Sequence, residues 1–199
     1  MKLLGSSRSP YVVKVRVMIA EKGIACDLEA VAPASEDVAA ANPLRKIPVL
    51  IRDDGKGLYD SSVIIDYLDG VAPSPKLIPD SFEDRIEIRR WEALGNGIMD
   101  AAVAIAHSDR LPAADQDAQK VKQQKKIDAG LATMAKDLGD RDFCHGNDFT
   151  LADIACGCAT LCLDNWYADM DWRQAHPSLS RHAERMASRE SFKTAGSSN

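Results

Sequence analysis

Three prolines fall within nine residues in V-A-P-S-P-K-L-I-P at 71–79, and the chain is patterned differently on its two sides. Proline fixes φ and lacks a backbone N–H, so neither a helix nor a central strand runs through such a stretch. The stretch divides the chain into a small domain over 1–72, a linker over 73–81 and a second domain over 82–199.

The first part alternates short elements. Leu3 and Leu4 read as a strand, followed by the loop G-S-S-R-S and a helix from Pro10 to Lys22 that stops at Gly23. Leu28 to Val31 reads as a second strand, and the alanine-rich segment from Pro33 to Ala41 as a helix. P-V-L-I at 48–51 and L-Y at 58–59 flank D-D-G-K-G, whose residues tolerate the turn of a hairpin. A helix from about Ser62 to Leu68 ends at Asp69 and Gly70. The order is β-α-β-α-β-β-α.

Beyond the linker nearly everything reads as helix. Ile88, Trp91, Ile98, Ala102 and Ile105 form one apolar stripe, and Ile127, Leu131, Met134 and Leu138 another. In F-T-L-A-D-I at 149–154, Thr150 is placed as an N-cap, with Asp153 three residues on and Phe149 and Ile154 positioned as a hydrophobic staple. Every residue there has a capping or packing role. The tail G-S-S-N at 196–199 is expected to fray.

The net charge of −5 argues against a general nucleic-acid surface. The densest basic stretch, K-V-K-Q-Q-K-K at 120–126, is spaced like the solvated face of a helix. No apolar run approaches the length of a membrane span, and M-K-L-L-G is too short to be the core of a secretion signal. Cys26, Cys144, Cys156, Cys158 and Cys162 show no disulfide framework, which fits a reducing, cytoplasmic compartment. Cys158 with Cys162, or Cys144 beside His145, could be imagined as metal ligands. Buried small hydrophobes are the usual fate of such cysteines, and no metal is expected.

Three segments of the first domain converge if its strands form one sheet: the loop before the first helix, A-N-P-L-R-K-I-P-V-L at 41–50, and Y-D-S-S-V-I-I-D-Y-L at 59–68. Pro48 directly ahead of an apolar strand fits either a cis bond at Ile47–Pro48, which frees backbone groups for a ligand, or a trans proline opening an edge strand. Asp60 or Ser61 can cap the third helix, and the N–H groups of that helix end also suit a ligand carboxylate. Ser9 is a natural N-cap followed by Pro10 at the first helical position. As a cap its oxygen accepts an N–H, which leaves its own proton free to point outward.

These segments, with S-P-Y-V-V-K-V-R at 9–16 and T-L-A-D-I-A at 150–155, resemble the glutathione transferase superfamily along essentially the whole chain. E-A-L-G-N-G-I-M-D-A at 92–101 and R-E-S-F at 189–192 are similar to a short bacterial group within it. The resemblance implies a thioredoxin-like N-terminal domain that binds glutathione, an all-α helical bundle after it, a co-substrate pocket between them, and a homodimer. It implies glutathione as co-substrate, conjugated to a small hydrophobic electrophile in detoxification chemistry. By the same resemblance Ser9 contacts the glutathione sulfur, with Ser6 and Ser7 as substitutes on the same loop. Ile47 pairs its backbone with the cysteinyl part ahead of a cis-Pro48, Asp60 and Ser61 hold the γ-glutamyl end, and Lys46 lies near the glycyl carboxylate. Tyr11, Met99, Val103, His107 and Arg110 are the expected electrophile contacts, although His107 and Arg110 also read as a solvated helix end. Arg45 stands where the family usually has glycine. It either strains a left-handed position or adds a cation near a carboxylate. That departure supports the alternative of a non-catalytic or regulatory protein of the same fold, acting by binding glutathione or another protein.

Overall fold

The computed structural model describes residues 1–196. The chain packs as two compact units, Met1–Leu77 together with the segment from Ser188, and Ile78–Ala187. The helical domain of the sequence reading ran to residue 199. The C-terminal segment belongs instead to the first unit.

The first unit holds β1 (Lys2–Gly5), α1 (Pro10–Glu21), β2 (Asp27–Ala30), α2 (Glu36–Ala41), β3 (Val49–Ile51), β4 (Gly57–Tyr59) and α3 (Ser61–Val71), which is the expected thioredoxin-like order. The strands form one mixed sheet in the order β2-β1-β3-β4. β1 runs parallel to β2 and antiparallel to β3, and β3 and β4 close the hairpin read from D-D-G-K-G. Side chains alternate across the sheet. Leu4 and Val49 pack with Val38 of α2, while Leu3 and Leu50 are buried one residue out of step.

Two helix boundaries differ from the sequence reading. α2 starts at Glu36, three residues later than expected, because Ala34 is left-handed (φ 64) and Ser35 supplies the cap. α3 runs through Asp69 and Gly70 to Val71 instead of stopping there. Asp69 is held at that end, since its carboxylate lies 2.6 Å from the buried Lys22 ammonium and accepts from the N–H of Leu77. Lys22 also donates to the carbonyl of Pro75, so one cation ties the end of α1 to the proline-rich stretch.

The last helix of the first unit, residues Glu190–Gly196, packs on α1. Arg16 donates to the carbonyls of Thr194 and Ala195, which answers the unpaired C=O groups of a helix end. Arg189 donates to the Glu21 carboxylate through two hydrogen bonds of 2.8 Å, and Ser191 donates to the same group. Gly196 is helical where fraying was expected, and the rest of that expectation, 197–199, lies outside the described residues.

The second unit is helical: α4 (Phe82–Ala106), a 3-10 turn (Ser108–Arg110), α5 (Ala113–Leu138), α6 (Leu151–Trp166), α7 (Trp172–Ala175) and α8 (Pro177–Ser188); the Glu190–Gly196 helix is α9. α4 packs against both α5 and α6. Two glycines permit the approach. A Cβ on Gly95 would come 2.8 Å from the Ala155 carbonyl oxygen, and one on Gly130 would come 2.7 Å from Ile98. The lysines of 120–126 are carried on α5, where Gln123 and Ile127 turn inward. No helix of the described residues is long and apolar enough to cross a membrane.

α6 begins with the capping box read from the sequence. Thr150 Oγ1 accepts from Ala152 N, and the Asp153 carboxylate accepts from the Thr150 N–H at 2.9 Å. Asp153 is fully buried and does more than cap. Its Oδ1 also accepts from the Cys144 N–H at 2.8 Å and lies 2.9 Å from His182 Nε2 of α8.

Two outcomes follow from these anchors. Thr150→Ala removes one cap acceptor and should lower stability by about 1–2 kcal/mol in urea unfolding, with an unchanged m-value. Burial pushes the Glu21 carboxyl up, but the hydrogen bonds from Arg189 and Ser191 outweigh it and hold the pKa below the ordinary 4.5. A depressed carboxylate pKa contributes stability above the unfolded value, and that stability fades as pH falls through the folded value. Stability measured between about pH 5 and 3 should therefore fall less steeply in Glu21→Gln than in the native chain.

Candidate active site

The sheet register gathers the three candidate segments. Leu4 pairs with Val49, and Val49 pairs with Tyr59. The loop after β1, the residues before β3 and the residues after β4 therefore leave the sheet at the same edge. Ser6 to Ser9, Lys46 to Pro48, and Asp60 with Ser61 occupy those three positions.

Ser9 is the N-cap of α1 with extended backbone (φ −77, ψ 121), and Pro10 fills the first helical position. Its Oγ accepts from Val12 N at 3.5 Å, a long contact that engages the oxygen weakly. The Ser9 N–H donates to the Ser6 carbonyl at 2.9 Å, and Ser6 Oγ accepts from Arg8 N, so the loop is closed on itself. Ser6, Ser7 and Ser9 are all half-buried.

The Ile47–Pro48 bond is cis, the first of the two arrangements considered for it. Pro48 is buried, Ile47 half-buried and Lys46 exposed. The loop before them is organised by a residue that sequence reasoning passed over. Asn42 is buried; its side chain donates to the Lys46 carbonyl and accepts from the Leu44 N–H, and its carbonyl accepts from Arg45 N. The signal was present, since an Asn-Pro pair marks a turn whose amide bonds to nearby backbone.

Arg45 has φ 53, so the position where glycine was expected does adopt the left-handed conformation. Its guanidinium reaches the Ala34 carbonyl at 3.4 Å and Glu36 at 3.8 Å, both exposed contacts. Exposed pairs of this kind contribute little.

Asp60, not Ser61, is the N-cap of α3, and its Oδ1 accepts from Ser62 N at 2.8 Å. Its backbone is left-handed in φ (66), a sparsely populated state for a non-glycine residue. Ser61 is buried at the first helical position.

The five expected electrophile contacts are placed very differently from one another. Tyr11, two residues beyond Ser9, is half-buried on α1. Met99 is fully buried and presents no surface, because it follows Gly95 by one helical turn on the stripe of α4 that includes Ala102. Val103 is half-buried, His107 is the exposed C-cap of α4, and Arg110 is exposed in the 3-10 turn.

Comparison with known proteins agrees with this fold. Residues 3–76 match the family described as glutathione S-transferase, N-terminal domain, and residues 84–185 match glutathione S-transferase, C-terminal domain. The uncharacterized GST-like protein YibF of Escherichia coli K12 is 34% identical over 195 residues, covering 96% of each chain. A crystal structure of a glutathione S-transferase from Methylobacillus flagellatus KT with glutathione bound superposes with a TM-score of 0.94 at 47% identity, covering 99% of both chains. A glutathione S-transferase of Methylobacterium radiotolerans, in complex with glutathione sulfonate, gives 0.93 at 37% identity over 100% of this chain and 95% of the other. The chain belongs to the glutathione S-transferase family.

Arg45→Gly relieves a left-handed side chain, a gain of about 1–2 kcal/mol. Glycine's greater freedom in the unfolded chain offsets about 0.4–1 kcal/mol of it. Thermal unfolding should therefore show the variant more stable than the native chain by up to about 1.5 kcal/mol.

Proposed function

We propose that the protein binds glutathione along the sheet edge that carries Ser9, Pro48 and Asp60, stabilises its thiolate, and transfers it to a small hydrophobic electrophile. The observation that carries this reading is the register Leu4–Val49–Tyr59, which lines up the three segments. Glutathione in one similar structure and glutathione sulfonate in another support the choice of ligand.

Each residue has a physical task in this reading. Ser9 accepts one backbone N–H only weakly, so its hydroxyl proton is available to a thiolate placed before α1. That hydrogen bond and the positive end of α1 both favour the ionised thiol and lower its pKa from about 8.5 toward neutrality. Serine does not attack; the glutathione sulfur is the nucleophile and forms the bond to carbon, while the electrophile's leaving group departs with the displaced electron pair. The Ile47 backbone before the cis proline aligns the cysteinyl part. The N-terminus of α3, with Asp60 and Ser61, receives the γ-glutamyl end, and exposed Lys46 meets the glycyl carboxylate. Pairing of two copies belongs to the same reading. It is supported by the exposed apolar side chains of Leu44, Tyr59 and Val63 in the first unit.

Thiolate absorbance of glutathione, titrated with the protein between about pH 5 and 9, tests the assignment. The native chain should show bound thiolate well below the free thiol's pKa. Ser9→Ala should still bind glutathione but lose that shift. A hydrogen bond to a charged group contributes about 1.5–3 kcal/mol, so kcat/KM should fall roughly 10- to 150-fold. Glutathione that binds without ionising would favour the non-catalytic reading, and a chain that fails to bind it would end the glutathione assignment.

A further inference from the structure

The helical unit carries a second cluster of reactive side chains that the glutathione chemistry does not use. Cys144 lies between α5 and α6, Cys156 in α6 and His182 in α8. All are buried, and their ligand atoms lie within 4.8 Å of one another. Cys144 Sγ is 3.5 Å from His182 Nε2, and the same nitrogen is 2.9 Å from Asp153 Oδ1.

We propose that Cys144, Cys156 and His182 form a structural zinc site that ties the α5–α6 connection to α6 and α8, with the Asp153 carboxylate drawn in from beside His182 as the fourth donor. Tetrahedral zinc, with Zn–S of about 2.3 Å and Zn–N of about 2.0 Å, holds sulfur and nitrogen ligands about 3.5 Å apart. The Cys144–His182 separation already has that value. The Nε2–Oδ1 separation is shorter than the roughly 3.3 Å that the same geometry requires and opens slightly on loading. Two sulfurs, one imidazole and one carboxylate make a donor set suited to zinc.

Hydrogen bonding alone leaves this cluster half explained. A proton on Nε2 bridges the imidazole to one acceptor at a time, whereas a cation at the centre engages all four donors together. The other ring nitrogen, Nδ1, is buried with no hydrogen-bond partner. Zinc on Nε2 leaves Nδ1 as it stands, and it is the convergence of two sulfurs and an imidazole nitrogen on one buried point that favours the metal. Bond formation balances as follows: zinc exchanges bound waters for two sulfur bonds, one nitrogen bond and one oxygen bond, the two thiol protons leave to solvent, and the Nε2 proton is given up to Nδ1 or to solvent. The site is independent of the glutathione reading, because its ligands lie entirely within the helical unit.

Cobalt(II) reports such a site directly. The full-length protein, stripped with a chelator, is titrated with Co²⁺ both folded and during refolding from urea, then with Zn²⁺. The expected result is a thiolate-to-cobalt charge-transfer band with tetrahedral visible bands, saturating at one equivalent, displaced by Zn²⁺, and a raised Tm in the zinc-loaded chain. Cys144→Ala and Cys156→Ala, each checked for fold by circular dichroism, should each abolish the band, and Cys162→Ala should keep it. Absence of the band in the native chain under both loading conditions overturns the proposal without recourse to any variant. A band that persists in both Cys144→Ala and Cys156→Ala overturns it equally.

Discussion

The first turn of an α-helix leaves N–H groups without intrahelical partners, and the two halves of this molecule are organised around how those groups are answered. Ser9, Ser35, Asp60 and Thr150 each place a side-chain oxygen against the start of a helix. At α1 and α3 the caps coincide with the edge of the sheet where glutathione is proposed to bind. A short polar cap is the natural residue at such a place, because it holds the helix and still leaves hydrogen-bonding capacity for a ligand. The long helices α4 and α5 have no side-chain cap of this kind. They are held by packing, down to the contact that Gly95 allows between α4 and α6.

Buried charge does the fastening that caps cannot. Lys22 and Asp69 close the end of α1 on the end of α3, and Lys22 extends the tie to Pro75. Asp153 takes bonds from Thr150, Cys144 and His182, so a single carboxylate orders a helix start, a connecting segment and a second helix. Charges without exposure are tolerable only when every partner is present, and removing one leaves the rest uncompensated. These groups therefore fix geometry more than they add net stability.

Much of the fold was legible because its signals are local. The D-D-G-K-G turn and the Thr150–Asp153 capping box depend on a few consecutive residues, and each was found where it was read. The start of α2 was missed for a local reason, the left-handed Ala34, whereas the end of α3 was missed because a distant partner intervenes. α3 outruns Gly70 with Asp69 secured by Lys22, far back in the sequence. Met99, an electrophile contact by the family resemblance, is buried on α4, which its spacing alone did not reveal. Asn42 was missed because its importance lies in bonds to Leu44, Arg45 and Lys46 that appear only once the loop has its shape.

By itself the sequence determined the element order of the first unit, the caps at Ser9 and Thr150 and the hairpin, because backbone propensity and hydrogen-bonding capacity are properties of short segments. Tertiary structure alone decided what stands beside what. It chose the cis form at Ile47–Pro48, the left-handed backbone of Arg45 and Asp60, and the packing of the last helix on α1. It also brought Cys144, Cys156 and His182 to one point, although the sequence had offered Cys158 with Cys162, or Cys144 beside His145, as the pairs to consider. The physical reason is that convergence of donors depends on how helices cross, which no spacing along the chain encodes.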